Sequence, residues 1–137
     1  MDALLDTTSV KIPAKPEYVG VARLITAAFA GFLGFDSEAV EDIKIAVSEA
    51  CTNAILQLHK DSLDGNQEVE LGAYRQDDEL VIDVKYIAKD TGAAAKPLAP
   101  SPDRDLGMDL LTSIMDKVEM IKVRDHEVIL RLVKQIP

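Results

Sequence analysis

Apolar residues recur at steps of three and four from Tyr18 onward. Tyr18, Val21, Ala22, Ile25, Ala28, Phe29 and Phe32 fall on one face of a helix advancing about 100° per residue. Gly34 is placed to end that helix. A second stripe, Val40, Ile43, Val47, Ala50, Cys51, Ala54, Ile55 and Leu58, predicts a longer helix through "EDIKIAVSEACTNAILQLHK", with Asp36 or Ser37 as its cap. Elsewhere the period falls to two. Val10 and Ile12 alternate in "SVKIPAKP" before two prolines, which reads as a short strand and a turn. "DSLDGNQ" is a turn, and "EVELGAYR" and "ELVIDVKYIA" are strands joined by "QDD" as a hairpin. Lys89 to Gly107 is rich in Ala, Pro and Gly and offers little to pack, so composition predicts a mobile loop. "GMDLLTSIMDKVEMI" reads as a third helix and "HEVILRLVKQI" as a closing strand.

The order strand, helix, helix, hairpin, loop, helix, strand predicts an α+β two-layer sandwich, with helices on one face of a mostly antiparallel sheet. At 137 residues the chain is the size of one domain, taken as 1–137. Nothing in "MDALLDTTSV" suggests export, and no apolar run is long enough to span a membrane, so a cytoplasmic location is expected. The single cysteine, Cys51, lies on an apolar stripe and reads as buried filler in a reducing compartment. A net charge of −9 disfavours direct binding to nucleic acid or to an anionic membrane, since both need clustered Lys and Arg. A protein partner is favoured.

Within the second helix, Glu49 and Asn53 stand one turn apart, away from the apolar stripe. By spacing alone this is an ordinary solvated face. A carboxylate beside an amide oxygen is also what Mg²⁺ chemistry on a phosphate needs, with a base near a reacting hydroxyl. His59, near the end of the same helix, is placed to meet its C-terminal dipole, and His126 falls in a turn. No ligand pair has zinc spacing. Tyr74 and Tyr86 read as residues that pack on the sheet.

"EDIKIAVSEACTNA" resembles the N-box helix of the bacterial anti-sigma factor serine kinases, members of the GHKL ATPase superfamily with its Bergerat fold. The resemblance extends along nearly the whole chain. "KIPAKPEYVGVARLITAAFAGFLGF" is similar to the family's first strand and helix, "RDLGMDLLTSIMDKVE" to its second glycine box and following helix, and "VILRLVK" to its last strand. The resemblance implies a site for ATP and Mg²⁺. Asn53 would then be the metal and cofactor ligand and Glu49 the catalytic residue that orients or deprotonates the attacking hydroxyl. Gly107 would stand at a helix N-terminus whose backbone N–H groups face phosphate, with Arg104 just ahead of it.

The chain also departs from the family pattern. After "LVIDV" the family carries Asp-x-Gly-x-Gly, whose aspartate accepts from the adenine amino group; here that register holds Tyr86 and Ala88. Asp90 and Gly92, in "DTG", are the same feature only if displaced by four residues. "DHEV" replaces a Gly-Thr before the last strand, and Asp105 replaces a glycine of the second box. Two expectations follow from the resemblance. One is an anti-sigma-factor-like regulator with weak or lost ATP binding, whose partners are a sigma factor and a STAS-domain anti-sigma antagonist. The other is a working serine kinase that phosphorylates such an antagonist. Family members often form homodimers, which makes that assembly open to this chain too.

Overall fold

Alternating side chains build the sheet, and one-sided helices cover it. The computed structural model describes residues 6–61, 67–87, 102–123 and 126–137. Strand β1 (Thr7–Pro13) leads through one 3-10 turn (Pro16–Tyr18) into helix α1 (Val19–Phe32) and helix α2 (Ser37–Asp61). Strands β2 (Glu68–Gln76) and β3 (Glu79–Ile87) follow, then helix α3 (Pro102–Ile114) and strands β4 (Lys117–Lys122) and β5 (Glu127–Gln135). The strands form one antiparallel sheet in the order β1-β2-β3-β5-β4. This is the expected α+β arrangement, an open antiparallel sheet with helices. Among the described residues no helix is long and apolar enough to cross a membrane.

The turns obey local chemistry. Gly34 takes φ 101°, a left-handed conformation that glycine adopts without strain, and so stops α1. Asp36 caps α2: its Oδ1 accepts from the Ala39 N–H at 2.8 Å, satisfying one of the free donors at the helix start. In the β2–β3 hairpin, Gln76 pairs with Glu79 around a turn in which Asp77 has φ 56°.

The α2 stripe is the centre of the core. Ile43, Val47, Ala50, Cys51, Ala54, Ile55 and Leu58 are all buried, packed in one cluster with Leu71, Ile82, Val84 and Leu132 of the sheet. Each fully buried Leu or Ile contributes about 1.5–3 kcal/mol by leaving water.

The structure corrects four sequence expectations. In α1 the buried face is Val19, Ala22, Thr26 and Ala30, whereas Tyr18, Val21 and Phe32 of the predicted stripe are exposed, Phe32 at 76%. The helix is apolar nearly all round, so periodicity could not select a face; small residues let α1 lie close to its neighbours. The buried Thr26 hydroxyl is satisfied by donating to the Ala22 carbonyl at 2.8 Å.

The second correction concerns the third helix, which ends at Ile114, with Lys117–Lys122 forming the edge strand β4. Lys134 Nζ donates to the Ile114 carbonyl at 2.8 Å and the Gln135 N–H donates to Asp116 Oδ2 at 2.6 Å, so β5 terminates the helix and recruits the strand. Third, α3 begins at Pro102, so 102–107 are helical where composition suggested loop; 89–101 lie outside the described residues. His59 also differs. Its ring Nε2–H donates to the Ala14 carbonyl at 2.8 Å, tying α2 to the turn after β1 rather than to the carbonyls of its own helix.

Candidate nucleotide and partner site on helix α2

Helix α2 projects Ser48, Glu49, Thr52 and Asn53 away from its buried stripe. Glu49 and Asn53 are both half-buried and one turn apart, as the spacing predicts. Among the described residues neither side chain has a hydrogen-bond or ion-pair partner. Oxygens held in position without partners are available to a ligand. No group of three His, Cys, Asp or Glu side chains converges among the described residues, so a cation here would take its remaining ligands from phosphate and water.

Helix α3 brings Gly107 against Glu49. A methyl group built on Gly107 would overlap Glu49 Oε2 and lie 3.2 Å from Cδ and 3.6 Å from Cγ. Gly107 is buried and lies inside α3, past its first turn. That corrects the expectation of a helix-starting glycine with free N–H groups, since only the first four N–H groups of a helix lack internal partners. Arg104 belongs to the first turn of α3, and its side chain lies outside the described atoms. Asp90 and Gly92 lie outside the described residues.

On its other side Glu49 lines an open groove between α1 and α2, together with Arg23, Glu41, Lys44, Ile45, Ser48 and Thr52. Arg23 crosses the groove and donates from Nη1 to Ser48 Oγ at 3.2 Å. Sequence reasoning missed Arg23. Its signal was available: it is the one charged residue in α1.

The end of β3 differs in chemistry. Tyr86, which the family resemblance sets in the register of an adenine-binding aspartate, is 6% exposed, within the core cluster on the helix-facing side of the sheet. A packed aromatic ring stands where a carboxylate acceptor would be needed. The oxygens of Glu49 and Asn53 on α2 are of the kind Mg²⁺ takes, whereas the buried Tyr86 ring carries no carboxylate. Cys51 on α2 is buried, and burial pushes its thiol pKa up to about 12, which keeps the thiol protonated in the folded protein.

Residues 12–134 match the family model of the histidine kinase-like ATPase domain. The serine-protein kinase RsbW of Oceanobacillus iheyensis is 36% identical over 124 residues, covering 84% of this chain and 78% of that protein. The serine-protein kinase RsbW of Bacillus subtilis is 34% identical over 134 residues, covering 88% and 79%. A crystal structure of the RsbU and RsbW domains of a Mycobacterium tuberculosis protein superposes with a TM-score of 0.71 at 13% identity, a likeness of fold alone. It covers 96% of this chain and 32% of that one. By domain match, by relatives and by fold, the chain belongs to the anti-sigma factor serine kinase family of histidine kinase-like ATPase domains.

Proposed function

We propose that this chain is an anti-sigma-factor-type regulator of a partner-switching pathway, binding protein partners with weak or lost ATP binding. The carrying observation is Tyr86, packed in the core in the register of the family's adenine-binding aspartate. Loss of a hydrogen bond to a charged group costs about 1.5–3 kcal/mol, and loss of a neutral one about 1 kcal/mol more. At about 1.4 kcal/mol per decade, nucleotide affinity falls roughly 50- to 1,000-fold. The partners are a sigma factor and a STAS-domain antagonist in the cytoplasm, and the groove beside Arg23 and Ser48 offers them a polar surface. Calorimetric titration with Mg-ATP and Mg-ADP tests the reading: saturable binding in the micromolar range rejects it.

A second reading is favoured by the phosphate-side residues. Glu49 and Asn53 stand together without competing partners among the described residues, and the relatives at 33–37% identity carry the name serine-protein kinase. Bound Mg-ATP would supply the transferable phosphoryl group. Asn53 would hold the metal through its amide oxygen. Glu49 would orient, or accept the proton of, a serine hydroxyl on the bound antagonist. Transfer of labelled phosphate to a serine of such a partner, abolished by Glu49→Gln, would establish this activity.

A further inference from the structure

We propose that Gly107 is a positioning residue that seats the Glu49 carboxylate, so that helix α3, and not α2 alone, fixes where that carboxylate stands. This deepens the kinase-type reading and rests on Glu49 being its proton acceptor. Three observations converge. Gly107 lies inside a helix, where glycine is less favourable than alanine. It is not among the positive-φ residues, so its backbone conformation is open to any residue and does not require glycine. The atoms nearest a methyl group built on it are Oε2, Cδ and Cγ of Glu49. The other described glycines show no such overlap: Gly31 and Gly34 face open space, and Gly20 and Gly72 have only ordinary contacts. The absent side chain at 107 is therefore room for one particular carboxylate.

The energetics separate this role from a structural one. Glu49 is flexible at its far end, so a methyl at 107 can displace the carboxylate without disturbing either helix. Replacing glycine by alanine inside a helix itself favours folding. The chain should tolerate Gly107→Ala while Glu49 loses its position. A misplacement of this size costs a reacting group far more than it costs the fold.

The test uses the unliganded chain first. Nuclear Overhauser contacts between the Gly107 Hα and Glu49 Hγ protons should be present in the wild type. In Gly107→Ala the Glu49 Cδ resonance should move while the thermal midpoint stays or rises. Glu49→Asp in the Gly107→Ala background retracts the carboxylate and should restore contact with position 107. Absence of the wild-type contact, or a Glu49 resonance unmoved in Gly107→Ala, overturns the seat. Transfer of labelled phosphate from Mg-ATP to a serine of the antagonist is the second readout: kcat falls roughly 10- to 100-fold in Gly107→Ala with KM for ATP unchanged. A rise in KM with kcat unchanged overturns positioning in favour of a nucleotide contact. A chain that shows the contact and the resonance shift but transfers no phosphate to an antagonist serine supports the seat and rejects the kinase reading.

Discussion

Arg131 grips Asp83 with two donors across the β3–β5 pairing, Nε to Oδ1 at 2.8 Å and Nη2 to Oδ2 at 3.0 Å. The pair lies on the sheet face opposite the helices, with the Asp83 side chain 15% exposed and that of Arg131 33%. Bidentate geometry makes it stronger than an ordinary surface ion pair, and partial exposure limits the gain. Arg131→Ala should cost about 1–2 kcal/mol, because it leaves a mostly covered carboxylate without its partner. In a double-mutant cycle with Asp83→Asn, urea unfolding should show coupling of about 0.5–1.5 kcal/mol. Strict additivity would show that the pair is ornamental.

Tyr74 reports on the same cluster. Its hydroxyl donates to Asp83 Oδ2 at 3.4 Å, and its pKa is raised above the usual tyrosine value by burial first and by the Asp83 charge second, with Arg131 opposing. Asp83→Asn should therefore lower the Tyr74 pKa, and Arg131→Ala should raise it further. Because the folded phenol holds its proton longer than the unfolded one, the stabilisation is complete below pH about 10 and is lost as pH rises through the folded value. Ultraviolet titration, with Tyr74→Phe subtracted, reads both shifts. Shifts of the opposite sign would reject this electrostatic account.

How much of this was legible in the sequence depended on whether local pattern or distant contact decided the outcome. The α2 stripe was legible because its buried apolar residues occupy one face and the opposite face is polar apart from Ile45 and Leu56. The α1 face was not, because Val21, Leu24 and Phe32 are as apolar as Val19 and Ala22, and only tertiary packing separates them. Strand β4 was hidden because Met115, Val118 and Ile121 recur at a step of three, which continues the helical period of α3 and not the two-residue period of a strand. Lys134 and Asp116, reaching across from and to β5, decide the matter. At the site, the Glu49–Asn53 spacing follows from one helix and could be read. The contact between Gly107 and Glu49 joins two helices distant in sequence, and no local spacing encodes it.

Cys51 should be inert in the folded protein. It is completely buried, and a thiol whose pKa is pushed up to about 12 holds almost no thiolate at pH 8. Disulfide-exchange labelling of the native chain should proceed only as fast as the protein opens, and should become rapid in denaturant. Fast labelling under native conditions would mean that the centre of α2 is accessible, against the packing described above.

Tyr86→Asp should test the adenine side of the site directly. The substitution removes a buried ring, at a cost of about 3–5 kcal/mol. It also supplies the acceptor that the family uses, which is worth about 1.5–3 kcal/mol and tightens nucleotide binding roughly 10- to 150-fold. The variant should melt lower than the wild type without ligand and gain more from Mg-ATP than the wild type gains. Tyr86→Phe, which keeps the ring, should leave nucleotide affinity unchanged. If Tyr86→Asp folds and binds no better, the missing aspartate does not account for weak binding.

Asn53→Ala separates ligand chemistry from packing on α2. Asn53 is half-buried with no hydrogen-bond partner among the described residues, so its removal orphans no group within the fold. Asparagine is a poorer helix former than alanine by roughly 0.5 kcal/mol, and the variant should be equally or slightly more stable in urea. Whatever Mg-dependent nucleotide affinity the wild type displays should disappear, because an alanine offers no oxygen to the metal. Binding of protein partners in the absence of nucleotide should be unchanged. Three measurements decide it: the unfolding midpoint, the Mg-ATP titration and the partner affinity. Marked destabilisation, on the order of 1–3 kcal/mol, would mean that Asn53 is a structural hydrogen-bonding group, and it would remove the reason for reading Glu49 and Asn53 as a site.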